Sequence, residues 1–171
     1  MDLDAGGHME VDKVAGDILE WVRNLSYLLH RPLLEETGLR SALYWFVEGL
    51  SKRSKLQISL TVSPENFQRL SPDVETAIFR VVQEALVNVL RHSGSASARV
   101  EIEQKSDEVA VRIRDFGKGI PLGPTLHRAT GKLGVGITGM RERIRQFGGE
   151  LTVARAEPGT LVEAHVPLVA S

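Results

Sequence analysis

The chain has 171 residues, which is enough for one compact domain with a substantial buried core. Apolar residues make up 42% of the sequence and charged residues 25%, as in ordinary soluble domains, and the net charge of -1 gives no electrostatic reason to expect a nucleic-acid partner. The sequence has no cysteine, which excludes disulfides and thiolate metal sites and allows a reducing compartment, and it has no apolar run long enough to cross a bilayer. The chain is expected to be cytoplasmic and without membrane contact, whatever membrane attachment a longer parent protein has.

The N-terminal part of the sequence predicts a leader, one helix and a junction. Residues 1–9 are expected to be an added leader that takes no part in the fold. Apolar residues then recur at helical spacing between Val11 and Leu29, and Pro32 is expected to end this helix. The broad apolar face of the helix can pack on a second copy of the chain or fold back on its own domain, and the sequence leaves both open.

Residues 38–171 are predicted to form one domain of mixed helices and strands. Helical spacing and strict alternation of apolar residues distinguish the two kinds of element. The elements predicted in chain order are a helix from about Leu39 to Arg53, a strand Leu56–Val62, a helix opening at Ser71, strands Ser97–Glu103 and Glu108–Arg114, a helix entered at Gly134, and strands Glu150–Ala154 and Thr160–Val166.

The helix that opens at Ser71 has one wide apolar side. At about 100° per residue its apolar residues fall on one arc, while Glu84, Asn88 and Arg91 gather on the other side. A solvated helix face would explain these three residues. Asn in the middle of a helix is mildly unfavourable, because its side chain competes for backbone hydrogen bonds. A ligand held by Glu84 and Asn88, one turn apart, is therefore the second explanation.

A carboxylate followed by two glycines stands where the strand Glu108–Arg114 opens into a loop. Asp115 can present an acceptor to an exocyclic amine there, and Gly117 and Gly119 leave room for a flat ring close to the backbone. The same pattern also describes ordinary turns, in which the aspartate bonds its own backbone. Taken alone, the motif favours the ordinary turn.

The segment after Asp115 is predicted to be a lid. Residues 116–133 are rich in glycine and proline and show no periodic pattern, and connections of this length are usually functional or mobile. They lead to Gly134 and Gly136 at the entrance of a helix, where free backbone N–H groups and the helix dipole suit an anion such as phosphate. Loop geometry alone would also explain these two glycines. The inner face of the helix is predicted to carry Ile137, Met140, Ile144 and Phe147.

Together, these elements predict a nucleoside triphosphate site. The Asn88 amide oxygen is a hard ligand suited to Mg²⁺, and Glu84 can orient a water or accept a proton. The site belongs to neither common glycine-rich type. No Gly-Lys-Ser/Thr follows the glycines, and no strand leads directly into a GxGxxG turn.

The same residues resemble three sequence boxes of one superfamily. Gln83–His92 is similar to the N box of the GHKL ATPases, Asp115–Gly119 to the G1 box and Gly134–Arg143 to the G2 box. The residues of the boxes are most similar to those of sensor histidine kinases in the subgroup that has a short two-helix dimerisation and phosphoacceptor domain. The resemblance covers about Arg23 to Leu168, and three boxes in the right order and spacing make it specific.

The resemblance implies the Bergerat fold, an α/β two-layer sandwich. Helices would cover one face of a mixed β-sheet, and ATP would lie between the helical layer and the lid. The resemblance also implies an adenine acceptor at Asp115, a Mg²⁺ ligand at Asn88 and a catalytic base or water-orienting residue at Glu84. Gly134 and Gly136 would contact the phosphates, and Thr160 would lie near the adenine. The full set of residues that the resemblance assigns to the rest of ATP is Arg91, His92, Gly117, Gly119, Ile120, Gly134, Val135, Gly136 and Thr160.

None of the five histidines matches the phosphoacceptor of the subgroup, which is followed by an acidic residue. His30 resembles a junction residue, and His92 fits a phosphate contact or a helix cap. Residues 10–37 then correspond to a remnant of the second dimerisation helix and the junction. The resemblance implies a catalytic domain that transfers the ATP γ-phosphate to a histidine on a dimerisation domain not complete in this chain. Its further partners would be a response regulator and a second copy bound through the N-terminal helix.

Three other functions are weighed against this one. An ATP hydrolase of the same fold needs further domains, for which 171 residues leave no room. An anti-sigma serine kinase has about this length, but here the N-terminal residues form an apolar helix that resembles a dimerisation helix. A non-catalytic interaction module with a decayed pocket is disfavoured by the intact Glu84, Asn88 and Asp115 and by both glycine pairs.

Overall fold

A computed structural model describes residues 13–14, 16–24, 30–120 and 134–168. The leader at 1–9 and most of the predicted lid, 121–133, lie outside these residues, so both stay predictions. No helix in the described ranges is long and apolar enough to span a membrane. The elements in chain order are helix α1 (16–24), helix α2 (His30–Ser54), strand β1 (Gln57–Ser63), helix α3 (Pro72–Asn88), a π-helical turn (Val89–Ser93), strands β2 (Ser97–Gln104) and β3 (Glu108–Asp115), helix α4 (Val135–Arg145), and strands β4 (Glu150–Arg155) and β5 (Thr160–Pro167).

The five strands form one mixed sheet in the order β1-β2-β3-β5-β4. Strand β1 runs parallel to β2, and the other neighbours are antiparallel. One face of the sheet is apolar and packs under the helices, whereas the other carries charged pairs such as Arg112 and Glu163, whose Nε and Oε1 atoms lie 2.7 Å apart. The predicted α/β sandwich with helices on one face is therefore confirmed. One apolar row crosses all five strands at Leu60, Val100, Ile113, Val162 and Val153.

Helix α3 lies between α2 and α4, and it is buried on more sides than the sequence predicts. The predicted apolar arc is in the core, but Glu75 is also only 1% exposed. Its carboxylate accepts hydrogen bonds from Arg69 Nε at 2.9 Å and from the Leu70 amide at 3.1 Å. The Glu75 hydrogen bond raises the pKa of Arg69. Glu75 thus ties the preceding loop to the first turn of α3.

Pro32 lies inside a helix, contrary to the prediction that it ends one, whereas the predicted end of the N-terminal helix at Leu29 lies outside the described residues. Helix α2 consists of two helical stretches that meet at Gly38, where φ is +82°. The second stretch confirms the predicted helix from Leu39, but residues 30–37 are helical where the sequence predicted a junction. Proline is tolerated in the first turn of a helix, because the amide hydrogen that it lacks has no intrahelical partner there.

Helix α1 packs on its own domain, which is one of the two arrangements left open by the sequence. Ile18 and Val22 are 8% and 7% exposed and belong to the common core. The Trp21 ring stacks on the Phe46 ring with centroids 6.1 Å apart, and the Arg53 guanidinium lies 4.2 Å from the Trp21 ring centroid. A homodimer formed through this face would require Ile18 and Val22 to leave the core.

We expect Trp21→Ala to lower the free energy of unfolding by about 2 kcal/mol, below the usual cost for a fully buried tryptophan because Trp21 is only half-buried. Urea unfolding followed by far-ultraviolet circular dichroism would measure the change. Val14→Ala is the control on the same N-terminal segment, since Val14 is 47% exposed. Equal stability of the two variants would show that α1 is not packed in solution.

Candidate functional site

A cavity of about 620 Å³ opens between the helical layer and the sheet. It lies where α3, the π-helical turn, β3, β5 and the first turn of α4 come together. Its volume is in the range of pockets that bind small molecules. The residues that line it are Ala85, Asn88, Val89, His92, Ser93, Ile113, Asp115, Lys118, Gly119, Ile120, Gly134, Gly136, Ile137, Met140, Val153, Thr160 and Val162.

The wall of the cavity is apolar with a few polar groups. Ile113, Met140 and Val162 are buried core residues that form part of this wall. Such a wall suits a flat ring, and polar groups placed along it fix the ring's orientation. The cationic side chain among the lining residues is that of Lys118. The cavity can therefore hold a ring at one place and an anion at another.

Asp115 is the buried carboxylate of the cavity. It is the last residue of β3 and is only 4% exposed. Its Oδ1 atom accepts a hydrogen bond from the Gly117 amide at 2.8 Å, which is the turn geometry that the sequence pattern favours when taken alone. Among the described residues, its Oδ2 atom accepts no hydrogen bond. The turn and the acceptor function are thus compatible, since one oxygen serves each.

Thr160 lies beside Asp115, where β3 ends and β5 begins. The antiparallel register pairs Arg114 with Leu161, so Thr160 continues the ladder next to Asp115. Both side chains line the cavity. A hydroxyl and a carboxylate oxygen are therefore available together to the polar edge of a ring.

The polar side of α3 faces the first turn of α4. Asn88 lines the cavity, and Glu84 lies one turn earlier and is half-buried. A Cβ atom added at Gly136 would overlap the Glu84 carboxylate, so only glycine leaves room for Glu84 at this place. Glu84 therefore lies against the amino end of α4, although it does not line the cavity.

The amino end of α4 offers hydrogen-bond donors to the cavity. Gly134 is the N-cap residue and has no side chain with which to cap the helix. The amides of Ile137 and Thr138 bond the Gly134 carbonyl at 3.1 and 3.4 Å, whereas the amides of the preceding turn have no intrahelical partner. Unpaired amides and the positive end of the helix dipole suit an anion.

Eight of the twelve predicted site residues line this one cavity. The other four lie around it: Glu84 is behind Gly136, Gly117 is in the loop after β3, Arg91 is exposed, and Val135 is 92% exposed. The residues that both line the cavity and were predicted are Asn88, His92, Asp115, Gly119, Ile120, Gly134, Gly136 and Thr160.

Two polar lining residues were not predicted from the sequence. Lys118 stands between the two glycines, and its presence inside the motif was the signal that could have identified it. Ser93 carries no such signal, because its position depends on the π-helical turn Val89–Ser93 at the end of α3. Insertions of this kind are often found at functional sites.

No three histidine or acidic side chains within the described ranges are grouped so as to hold a metal ion by themselves. A divalent cation would therefore depend on a protein oxygen together with ligand oxygens and water. The Asn88 amide oxygen fits this arrangement, because Mg²⁺ usually keeps several waters and is shared with phosphates.

Comparison with known proteins gives one consistent family. Residues 73–170 match the family described as "Histidine kinase-, DNA gyrase B-, and HSP90-like ATPase". The sensor histidine kinase YxjM of Bacillus subtilis is 31% identical over 91% of this chain, and NarS of Mycobacterium tuberculosis is 30% identical over 87%. These matches cover 36% and 34% of the two relatives, so the chain spans about a third of their length.

A solved structure supports the fold independently. The histidine kinase domain of the Erythrobacter litoralis EL346 blue-light activated histidine kinase superposes with a TM-score of 0.58. The sequence identity is 22%, and the superposition covers 75% of this chain and 58% of that one. At this identity the likeness concerns the fold alone.

Proposed function

Because the chain belongs to the histidine kinase-, DNA gyrase B- and HSP90-like ATPase family, we propose that it is the ATP-binding catalytic domain of a two-component sensor histidine kinase. Its substrate would be ATP, and the acceptor of the γ-phosphate would be a histidine on a dimerisation domain that is not complete in this sequence. The proposal follows the residue division made from the sequence, with 38–171 as the catalytic domain and 10–37 as the helix and junction before it.

The observation that carries the proposal is the meeting of three separate elements at one cavity. Asn88 comes from α3, Asp115 from the end of β3, and Gly134 from the start of α4, and all three line the same cavity. A ring acceptor, a hard cation ligand and an anion-binding helix end are the three parts that a nucleoside triphosphate requires.

Each residue has a separate task in this proposal. The free oxygen of Asp115 accepts a hydrogen bond from the exocyclic amine of adenine, and the apolar wall holds the ring. The amides at Gly134 and Gly136 bind phosphate oxygens. Asn88 would hold Mg²⁺, which neutralises charge on the phosphates when bound. Glu84, which lies against the α4 end of the site, accepts a proton or orients the attacking group.

The transfer step needs an acceptor from another domain. The imidazole nitrogen of the acceptor attacks the γ-phosphorus, the bond to the ADP oxygen breaks, and Glu84 takes the proton that the imidazole loses. The phosphohistidine would then pass its phosphoryl group to a response regulator. A second copy of the chain is a further partner if α1 leaves the core, since the face that it would use is buried.

Incubation with γ-labelled ATP tests this function. We expect the chain alone to take up no acid-labile phosphate, and a separately supplied histidine-bearing dimerisation domain from a relative to become labelled when Mg²⁺ is present. Asn88→Ala should reduce the labelling rate by about 100-fold or more, because loss of an electrostatic contact to the transferred group costs about 3 kcal/mol in the transition state.

Several outcomes would contradict the proposal. Labelling of a histidine in the chain alone would mean that the acceptor is present within it. Labelling of a serine in place of the histidine would favour the anti-sigma kinase function. Failure to bind ATP in a calorimetric titration would favour a non-catalytic interaction module.

A further inference from the structure

Two serine hydroxyls behind the Asp115 loop have no role in the proposed function. Ser93 is 7% exposed at the end of the π-helical turn, and Ser95 is half-buried two residues later. They lie between the end of α3 and the loop that follows β3. The Ser95 hydroxyl and the Ser93 carbonyl make hydrogen bonds that join these two parts of the cavity wall.

Ser93 fixes the turn and meets the loop through its backbone. Its hydroxyl donates to the Val89 carbonyl at 2.7 Å and accepts from the Ser95 amide at 2.9 Å. Its carbonyl accepts from the Lys118 amide at 3.0 Å. A Cβ at Gly117 would overlap the Ser93 carbonyl, so the loop approaches the turn as closely as backbones can.

Ser95 reaches the loop through its side chain. Its hydroxyl accepts a hydrogen bond from the Phe116 amide at 3.2 Å. The same hydroxyl donates to the Ser97 carbonyl at 2.7 Å and accepts from the Ser97 amide at 3.2 Å. The ladder between β2 and β3 ends with the pair of Ala98 and Asp115. The Ser95 hydroxyl therefore accepts a hydrogen bond from the first backbone amide after this ladder, that of Phe116.

These contacts hold the loop on both sides of Gly117, whose amide bonds Asp115. Phe116, the residue after Asp115, is held by Ser95, and Lys118 is held by Ser93. Between them the Gly117 amide bonds Asp115 Oδ1, which leaves Oδ2 available to a ligand. A loop that is fixed before binding spares the ligand the entropy of ordering it.

We propose that Ser95 is a positioning residue for adenine recognition, which acts by holding the Phe116 amide so that the Asp115 carboxylate keeps its binding orientation. The inference rests on the proposed function, because the ligand of Asp115 is taken to be adenine. It assigns the role to the hydroxyl group alone. Threonine, which keeps the hydroxyl, should preserve this function at position 95, whereas alanine should not.

Calorimetric titrations of the complete chain with ATP, adenosine and tripolyphosphate test the inference. We expect Ser95→Ala to lower the affinity for ATP and the affinity for adenosine by the same factor, about fivefold, which corresponds to the net contribution of one neutral hydrogen bond. Tripolyphosphate affinity should not change, since it lacks the adenine. Ser95→Thr should bind within twofold of the unmodified chain. Ser106→Ala, in the exposed turn at the other end of the same hairpin, is the matched control.

Amide hydrogen exchange gives a second readout that needs no nucleotide. The Phe116 amide should exchange faster in Ser95→Ala than in the unmodified chain, and Ser95→Thr should restore its protection. Unchanged exchange at Phe116 would overturn the inference. So would unchanged adenosine affinity in Ser95→Ala, or an equal loss of tripolyphosphate affinity, which would indicate a general structural effect. If the unmodified chain binds neither ATP nor adenosine, the proposed function fails and the inference fails with it.

Discussion

Asp115→Asn is expected to weaken ATP binding about 100-fold, the equivalent of about 2.7 kcal/mol. In the folded chain, Asp115 Oδ1 already accepts the Gly117 amide, and Oδ2 is left for the proposed hydrogen bond from the exocyclic amine of adenine. Asparagine has one oxygen for these two donors. Its NH₂ group must face either Gly117 or the adenine amine, so a buried donor stays unpaired.

The preference between ATP and GTP is the sharper readout of this change. Guanine carries a carbonyl oxygen where adenine carries its amine, and a carboxylate repels that oxygen. We expect the unmodified chain to prefer ATP in calorimetric titration and Asp115→Asn to lose most of this preference. Asp107→Asn is the control, because Asp107 is exposed in the turn between β2 and β3. An ATP affinity for Asp115→Asn within threefold of the control would refute the adenine acceptor.

Gly159→Ala should both destabilise the fold and abolish ATP binding. Gly159 has φ of +96°, and a Cβ there would overlap the Asp115 carbonyl and approach Asp115 Oδ1 to 2.8 Å. The backbone strain and the steric overlap together should cost about 3 kcal/mol or more, which lowers Tm by about 6 to 12 °C in a chain of this size. Relief of the overlap would displace Asp115, and therefore the acceptor of the cavity.

Gly94→Ala separates backbone strain from steric overlap. Gly94 also has positive φ, +65°, but nothing lies within 4 Å of an added Cβ. We expect it to cost about 1 kcal/mol, or about 2 to 4 °C in Tm, with little effect on ATP affinity. Thermal unfolding followed by circular dichroism, with and without ATP, measures both variants. Equal losses for Gly94→Ala and Gly159→Ala would mean that the contact with Asp115 has no influence.

The strands and most helices could be predicted because their apolar spacing is local. Strand β3 was predicted to within one residue from the alternation of Val109, Val111 and Ile113, which all lie buried on one face. Helical spacing in turn placed Met140 and Ile144 on the inner face of α4, where both are buried. In each case, the period of the backbone itself fixes which side chains share a face.

Pro32 and Glu75 show where local rules do not suffice. Proline breaks a helix when it lies in the helix interior, but it is tolerated in the first turn. Only the structure shows that α2 begins at His30, so that Pro32 lies in its first turn. Glu75 is a charged residue in the first turn of α3, yet it is buried because Arg69 and the Leu70 amide satisfy its carboxylate. Neither partner is related to Glu75 by helical or strand spacing.

By itself the sequence determined the order of the strands and the family, and it predicted the residues of the site, because apolar periods and the three glycine- or asparagine-containing boxes are local patterns. Only the tertiary structure decided that Asn88, Asp115 and Gly134 line one cavity, that α1 packs on its own core, and that Gly159 and Ser95 support Asp115. These contacts join residues that are distant in the chain. They depend on how the sheet and the helices pack, which no local spacing records.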